Sequence, residues 1–247
     1  MNLGDLGLEG STTRRKAILM LRSIKKLCGN KLGASDGEIG HVKDFYFDDK
    51  HWAVRYVVAD TGSWVSGRLV LISPQAFGRF PPSGKNLPVK LTRKQIENSP
   101  VIESHKPVSR QYEEEYYRYY GWPYYWQGDA VWGMSGFPIL SAKSKPFSGE
   151  RSAKPSAKQK RSEVHLQSAQ AVIGYQIQTQ TDDEFIGYVT DFMMDDKSWV
   201  ICHLVVKTGN RFSGKKTLLS PSQVSRISWD DSKIFVNTNK EAVRERR

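Results

Sequence analysis

Two aspartates recur in this chain at the same place in a repeated string. The string "IGHVKDFYFDDKHW" at residues 39–52 returns as "IGYVTDFMMDDKSW" at residues 186–199, and the copies hold Asp44 and Asp191 between apolar neighbours. A repeated carboxylate is a candidate general base or metal ligand. No second carboxylate or histidine recurs on the same predicted strand. We therefore favour a structural role, in which each aspartate caps a turn or accepts backbone N–H groups.

Each copy of the string ends in a pair of acids, Asp48-Asp49 in the first and Asp195-Asp196 in the second. Paired carboxylates can bind a hard cation, which needs several oxygen ligands. Both pairs are followed by a lysine and then a tryptophan. Because Asp tolerates the left-handed backbone that hairpin turns require, the sequence favours two turns over two cation sites.

The remaining residues with catalytic side chains form no recognisable motif. The two cysteines, Cys28 and Cys202, lack the CxxC spacing of a metal or redox centre and fit a reducing compartment. Neither a nucleophile elbow nor a phosphate-binding glycine loop is present. The five histidines show no ligand spacing: His41, His51, His105, His165 and His203. Those inside the aligned repeat, His41, His51 and His203, do not recur at the matching position of the other copy. We therefore predict no enzymatic activity, no metal and no cofactor.

The strings belong to a longer internal repeat. Residues 39–74 align with residues 186–221 without a gap, and 17 of the 36 positions are identical, where unrelated sequences would share about two. Apolar residues alternate within each copy, and Gly, Asp and Pro separate the segments, which is the pattern of short strands and turns. In the first copy the predicted strands are 27–33, 39–47, 52–60, 68–73 and 87–91, and a helical turn capped by Thr92 follows.

So many short strands in so few residues cannot form an open sandwich with a proper core. Closure into a small barrel is the better solution. The predicted fold is therefore mainly β, with two small barrels in tandem, short helical segments and a linker. Positions that differ between the copies should mark the surface: His41 against Tyr188, Lys43 against Thr190, and His51 against Ser198.

An aromatic stretch, "YEEEYYRYYGWPYYW" at residues 112–126, lies between the two copies. Four of its tyrosines are spaced i, i+4, i+7 and i+8, which predicts that they form one stripe of a helix. Gly121 and Pro123 are expected to end this helix. Exposed aromatic residues favour interfaces. They can equally pack on the chain's own barrel, since small barrels bury little surface. The stripe is Tyr112, Tyr116, Tyr119 and Tyr120, and the candidate partner-binding residues are Tyr116, Tyr120, Trp122 and Trp126.

The net charge of +11 is concentrated in two segments. Residues 1–34 and residues 141–165 each hold seven Lys or Arg against two Asp or Glu, and the rest of the chain is nearly neutral. The second segment is rich in Ser, Lys and Pro, so we expect a disordered linker. Basic segments of this kind can bind nucleic acid phosphates. A weaker alternative is a membrane-surface role for the basic amphipathic stretch 14–27.

No segment of the sequence is long and apolar enough to span a bilayer. The longest apolar run near the N-terminus, 17–21, falls well short of the roughly 20 residues required. It also lacks the cleavage pattern of a signal peptide. The sequence therefore predicts a cytoplasmic protein.

Three pairs of strings resemble the PRC-barrel family, which includes the H subunit of the photosynthetic reaction centre and the C-terminal domain of a ribosome maturation factor. They are "DGEIGHVKDFYFDD" with "EFIGYVTDFMMDD", "RYVVADTGSWVSGRLVLISP" with "LVVKTGNRFSGKKTLLSP", and "LPVKLTRKQIENSP" with "IFVNTNKEAV". The resemblance also makes Met20 look like the usual family start. The implied domains are an N-terminal extension at 1–19, a first barrel at 20–105, an aromatic-rich helical tail at 106–140, the linker at 141–165 and a second barrel at 166–247.

The resemblance implies an adaptor that offers a surface to a larger assembly. We therefore expect a non-enzymatic binding protein with a protein partner. The alternative is an RNA- or ribosome-associated factor that uses the basic tail and linker. Homo-oligomerisation stays open.

Overall fold

The structure is a computed structural model. It describes residues 20–62, 68–82, 85–100, 108–127, 132, 166–209, 214–239 and 242–243. These residues form two β-sheets with a few short helices, which confirms the predicted mainly-β fold. The predicted extension at 1–19 and the predicted linker at 141–165 lie outside the described residues. No described helix is long and apolar enough to cross a bilayer.

The first sheet contains most of the strands predicted for the first copy. Its strands are β2 (Lys31–Ala34), β3 (Gly37–Asp48), β4 (Ala53–Asp60), β5 (Leu69–Ile72) and β6 (Leu87–Pro88), and helix α2 (Arg93–Glu97) follows with Thr92 as its N-cap. Its strand order is β5-β4-β3-β2-β6. The pairs are antiparallel except β2 with β6, which run parallel.

The second sheet repeats this plan. Its strands are β8 (Gln176–Thr179), β9 (Phe185–Asp195), β10 (Ile201–Thr208), β11 (Lys216–Leu219), β12 (Val224–Ser228) and β13 (Lys233–Val236). Its order is β11-β10-β9-β8-β13-β12, and β8 with β13 is again the parallel pair. One buried apolar cluster includes residues of both sheets, and the rings of Phe47 and Phe192 lie 5.5 Å apart within it.

The two sheets exchange their first strands. Strand β1 (Leu21–Ser23) precedes the first copy but pairs with β9 of the second sheet. Strand β7 (Leu166–Ser168) precedes the second copy but pairs with β3 of the first sheet. These pairings cross the domain boundaries drawn from the sequence. The prediction of a strand over 27–33 is wrong at its beginning, because a short helix occupies residues 24–27.

The recurring aspartates hold this exchange in place. Helix α1 (Ile24–Leu27) follows β1, and its N-cap hydroxyl, that of Ser23, donates to Asp191 on β9. The Lys25 backbone N–H donates to the same carboxylate at 2.9 Å. Helix α1 is therefore tied to the sheet of the other repeat.

The reciprocal contact has the same geometry. Helix α4 (Ala169–Val172) follows β7, and the hydroxyl of Ser168 and the backbone N–H of Gln170 both donate to Asp44. Burial raises the pKa of the Asp44 carboxyl, although the hydrogen bonds from Ser168, Gln170 and Phe45 oppose that rise. Each aspartate thus accepts backbone N–H groups, which confirms the predicted structural role.

The acidic pairs form turns and also contact the other repeat. Asp48 accepts the His51 backbone N–H at 2.6 Å, and Asp195 accepts that of Ser198 at 3.0 Å. Both predicted turns are therefore confirmed. The second acids of the pairs reach across: Asp49 accepts a hydrogen bond from Gln167 on β7, and Asp196 accepts one from Arg22 on β1.

The two recurring tryptophans place these turns against each other. Trp52 and Trp199 have positive φ angles of 54° and 59°. The Val54 N–H donates to the Trp199 carbonyl at 2.9 Å, and the Ile201 N–H donates to the Trp52 carbonyl at 2.7 Å. The left-handed backbone at each tryptophan turns its carbonyl toward the other copy, so the hairpins join through reciprocal backbone hydrogen bonds.

The stretch 14–27, proposed for a membrane surface, is described only from residue 20 onward. Within its described part, Ile24 and Leu27 are 0% and 3% exposed, because they pack into the shared core. These two side chains are therefore not available to a membrane surface, and the membrane-surface alternative for the whole stretch stays a prediction.

Replacing Asp44 with alanine should lower the free energy of unfolding by about 2 kcal/mol, since the Gln170 backbone N–H at the start of helix α4 and the partly buried Ser168 hydroxyl both lose their acceptor. Urea denaturation measures this loss. The double variant with Ser168→Ala should lose less than the sum of the single variants, because the two side chains share one hydrogen bond. Asp231→Ala is the matched control, because the exposed Asp231 accepts the Ser228 hydroxyl on the surface. A loss no larger than in this control would refute the role of Asp44.

Candidate protein-binding site

The aromatic segment, residues 108–127, lies against the first sheet. Its helix α3 (Arg110–Tyr120) begins after Ser109, whose side chain accepts the Tyr112 backbone N–H, and ends at Gly121, which has a left-handed φ of 67°. A glycine adopts this conformation without steric cost, so it is a common helix stop. The predicted helix and its end at Gly121 are confirmed.

One face of α3 is buried on strand β4. Tyr116 and Tyr117 are 0% exposed. The ring of Tyr116 contacts that of Tyr56 edge-on at 5.3 Å, and its hydroxyl accepts the buried backbone N–H of Ser73 at 2.9 Å. The buried face does not coincide with the predicted stripe, because Tyr119 is 42% exposed and Tyr117 lies in the buried face.

A buried polar network lies under the aromatic segment. Arg55 on β4 is 1% exposed and pairs through its Nε with Asp48, which is 0% exposed. The Arg55 guanidinium also lies over the rings of Tyr125, at 4.0 Å, and Trp132, at 4.7 Å. A buried cation of this kind is tolerated because a carboxylate and two π-faces replace the water that it loses.

Glu113 on α3 completes the network. Its carboxylate accepts the hydroxyls of Tyr56, at 3.1 Å, and Tyr125, at 2.7 Å, and pairs with Arg110 at 2.9 Å. Burial raises the pKa of the Glu113 carboxyl, while Arg110 and the two hydroxyls oppose that rise. Glu113 therefore connects the helix, the sheet and the chain that follows the helix.

Sequence reasoning missed this network. Arg55, Tyr56 and Glu113 were not singled out, and Asp48 was assigned to a turn alone. A signal was available in the comparison of the copies, since Arg55 and Tyr56 stand where the second copy has Cys202 and His203. A change from arginine to cysteine inside an otherwise similar strand indicates that the two strands have different surroundings.

The opposite side of the segment presents aromatic rings to solvent. We call Tyr119, Tyr120, Trp122, Tyr124 and Trp126 the outer aromatic surface. The rings of Tyr120 and Trp122 stack at 4.6 Å, and those of Tyr124 and Trp126 stack at 4.7 Å. Trp122, Tyr124 and Trp126 also contact the buried ring of Tyr117. Both stacked pairs therefore rest on the core and leave part of their area exposed.

The four residues predicted to bind a partner fall into two groups. Tyr116 lies in the core, so the packing alternative is correct for this residue. Tyr120, Trp122 and Trp126 are half-buried members of the outer aromatic surface. Partner binding by these three stays a prediction.

The catalytic alternatives find little support in the geometry. Within the described ranges, no three His, Cys, Asp or Glu side chains lie close enough together to hold a metal ion. An open groove of about 910 Å³ lies beside Cys28, Gln170 and β3, and its lining includes the exposed His41 and Lys43. Burial raises the pKa of the Cys28 thiol to about 11, although the hydrogen bond from Gln170 opposes that rise. Because the thiolate is the nucleophile, Cys28 is a poor one near neutral pH.

Comparison with known proteins identifies one family. The model of the PRC-barrel domain matches residues 168–243. This range begins at the N-cap of α4 and ends in the last described residues, so it covers the second copy. A comparison with curated proteins gives no match.

Replacing Tyr116 with phenylalanine should lower the free energy of unfolding by about 1–3 kcal/mol, because the buried Ser73 N–H loses its acceptor. Tyr119→Phe is the matched control on the same helix. Its exposed hydroxyl donates to the Gln95 carbonyl, and we expect a change within about 0.5 kcal/mol. Urea unfolding of both variants tests the difference, and equal losses would show that the hydrogen bond to Ser73 is unimportant.

Glu113 should make stability depend on pH. The folded-state pKa of Glu113 lies above the unfolded value of 4.5, so the native state binds the proton more tightly than the unfolded state does. The contribution of Glu113 to the free energy of unfolding therefore falls as the pH rises through the folded-state pKa. Glu113→Gln removes this dependence. The unfolding free energy of the wild type, relative to this variant, should therefore decrease as the pH rises above 4.5.

The exposed Glu115→Gln substitution serves as the control for this pH series, because it removes a carboxyl from the same helix without touching the network. This variant should follow the wild-type curve. Parallel curves for the wild type and Glu113→Gln would contradict the raised pKa of Glu113.

Proposed function

We propose that this chain, which carries a PRC-barrel domain at residues 168–243, is a non-enzymatic cytoplasmic adaptor that presents binding surfaces to a larger protein assembly. The observation that carries the proposal is the outer aromatic surface. It joins two stacked Tyr–Trp pairs and the exposed Tyr119 on one segment. Tyr and Trp are the residues that most often dominate binding energy at protein interfaces.

The support beneath this surface favours a binding role. Tyr117 is fully buried below both stacked pairs, and Arg110 lies over the ring of Trp126 at 4.1 Å. Glu113 fixes the same helix to β4 through Tyr56. Rings that are held in place before binding lose little conformational entropy on binding, so more of the contact energy appears as affinity.

The use of the acidic residues also supports a non-enzymatic role. Asp44 and Asp191 accept hydrogen bonds from the short helices of the opposite repeat. Asp48 and Asp195 accept the N–H groups of their own turns. The recurring carboxylates thus have structural tasks, and catalysis is not needed to explain why they recur.

Charge placement favours a second candidate, an RNA- or ribosome-associated factor. Residues 1–34 and residues 141–165 hold nearly all of the +11 net charge. Lysine and arginine that neutralise phosphates release counterions, so such binding weakens steeply with salt.

Affinity purification of the tagged chain from its native cell extract tests the proposal. We expect a defined protein to be retained by the wild type and lost from a Trp122→Ser, Trp126→Ser variant. Loss of two interface anchors should cost about 2 kcal/mol or more, which is at least about thirtyfold in Kd. Trp229→Ser is the control, since Trp229 is 41% exposed on the β12–β13 hairpin.

Melting temperatures of the same variants separate binding from packing. Loss of the partner with an unchanged melting temperature supports the adaptor. A lowered melting temperature with the partner still retained assigns these tryptophans to packing, and a wild type that retains nothing contradicts the proposal. A partner that nuclease or high salt removes would support the RNA-associated candidate instead.

A further inference from the structure

The outer faces of the two sheets differ at matched positions. Leu71 on β5 and Leu218 on β11 are the same residue at the same place in the two copies, yet Leu71 is 0% exposed and Leu218 is 45% exposed. The neighbouring strands show the same contrast. Every residue of β4 except its last is buried, whereas buried and partly exposed residues alternate along most of β10.

The aromatic segment causes this difference. Leu71 pairs with Val58 on β4, so both lie on the face that also carries Tyr56. Alternate residues of a strand share a face. Tyr116 of α3 contacts the Tyr56 ring and the Ser73 N–H, and these two residues lie opposite each other, two positions along from the Val58–Leu71 pair. Helix α3 therefore lies over this face of the first sheet.

The matching face of the second sheet has no such helix among the described residues. We call Met193, His203, Val205 and Leu218 the uncovered face. Val205 pairs with Leu218, and Met193 pairs with His203, so the four side chains lie on one side of β9, β10 and β11. Its centre is apolar and includes the exposed Leu218. Met193 and Val205 are partly exposed beside it, and apolar area that remains accessible on a folded sheet is a candidate interaction site.

Charge at one end of the uncovered face distinguishes it from its counterpart. Lys207 and Lys216 pair with each other across β10 and β11, two residues beyond the Val205–Leu218 pair and therefore on the same face. The first sheet has Asp60 and Leu69 at these two positions. The second sheet therefore adds two cations where the first sheet has one anion and one apolar residue.

We propose that the uncovered face binds an amphipathic helix of another protein, with aromatic residues at its centre and carboxylates facing Lys207 and Lys216. The occupant is a helix because α3 of this chain fills the equivalent face of the first sheet. Its aromatic residues match the ring contacts that Tyr116 and Tyr117 make there. Its carboxylates follow from charge complementarity with the two lysines.

A second copy of this chain fits the uncovered face less well. An isologous contact would bring the same pair of lysines from both copies into one interface. Like charges at an interface oppose association. The aromatic face of α3 is also occupied within its own chain, because Tyr116 and Tyr117 are fully buried. The proposal rests on the proposed adaptor function but uses a surface separate from the outer aromatic surface.

Titration of the full-length protein with a fluorescent peptide of residues 108–127 tests the proposal. The peptide carries the aromatic residues and three consecutive glutamates of α3, and the chain's own α3 already covers the first sheet. We expect saturable binding, measured by fluorescence anisotropy. Leu218→Asp should weaken it at least about tenfold, and Lys216→Glu should do the same with a reduced salt dependence.

Two controls keep the outcome specific. Trp229→Asp replaces an equally exposed apolar residue elsewhere on the second sheet, and its binding should equal that of the wild type. A peptide with Tyr116 and Tyr117 changed to serine should not bind. Melting curves establish that Leu218→Asp is folded, and Lys216→Glu provides a second test that leaves the apolar residues intact.

Failure of the peptide to bind, or equal binding to the wild type and Leu218→Asp, would overturn the proposal. A wild-type dimer that Leu218→Asp dissociates in sedimentation would also overturn it, because the occupant would then be a second copy. Both outcomes are distinct from failure of the adaptor function, which is measured by the dependence of partner retention on Trp122 and Trp126.

Discussion

The reciprocal hydrogen bonding of Asp44 and Asp191 is the interaction on which the rest of this structure depends. Each carboxylate receives the N-cap hydroxyl and a backbone N–H from a four-residue helix that belongs to the other repeat. A helix this short is not stable by itself, because its few internal hydrogen bonds do not repay the cost of nucleation. The aspartates therefore hold α1 and α4 in place and, with them, the exchanged strands β1 and β7. Neither sheet keeps its full set of strands without the other.

This exchange explains why the recurring string is so similar in its two copies. A fold alone would require apolar residues at alternate positions and a turn at the end. The string also keeps Asp49 and Trp52, whose counterparts are Asp196 and Trp199. The second acids bind the exchanged strands, and the tryptophan carbonyls accept hydrogen bonds from the opposite hairpin. Each copy therefore retains the residues that bind the other copy. The recurring glycine has a reason within its own copy, since a Cβ at Gly40 would lie 2.0 Å from the Asp60 carbonyl oxygen.

The sequence predicted what depends on local patterns. Alternating apolar residues predicted β3 and β4, Thr92 predicted the start of α2, and Gly121 predicted the end of α3. The exchange of β1 and β7 could not be predicted in this way. Both sheets offer an aspartate in the same string, so the sequence cannot distinguish pairing within a repeat from pairing between repeats. Burial of Arg55 was equally hidden. Its partner Asp48 is seven residues away, which resembles an ordinary surface pair, and the rings that lie over the guanidinium, Tyr125 and Trp132, are distant in the sequence.

The two repeats differ most on their outer faces, and the difference has an energetic consequence. Replacing a buried ion pair with apolar residues often leaves a protein equally stable, so burial of the Arg55–Asp48 pair is weak evidence that the pair stabilises the fold. Its effect is positional, because Arg55 lies against Tyr125, and Tyr125 donates to Glu113 on α3. The second sheet has Cys202 at the position of Arg55 and lacks this means of holding a covering helix. The first repeat thus uses its outer face to fix an aromatic segment of its own chain. In the second repeat the same face keeps Leu218 exposed, and no helix of the described residues lies over it. A partner helix of the proposed kind would therefore displace water from apolar surface there.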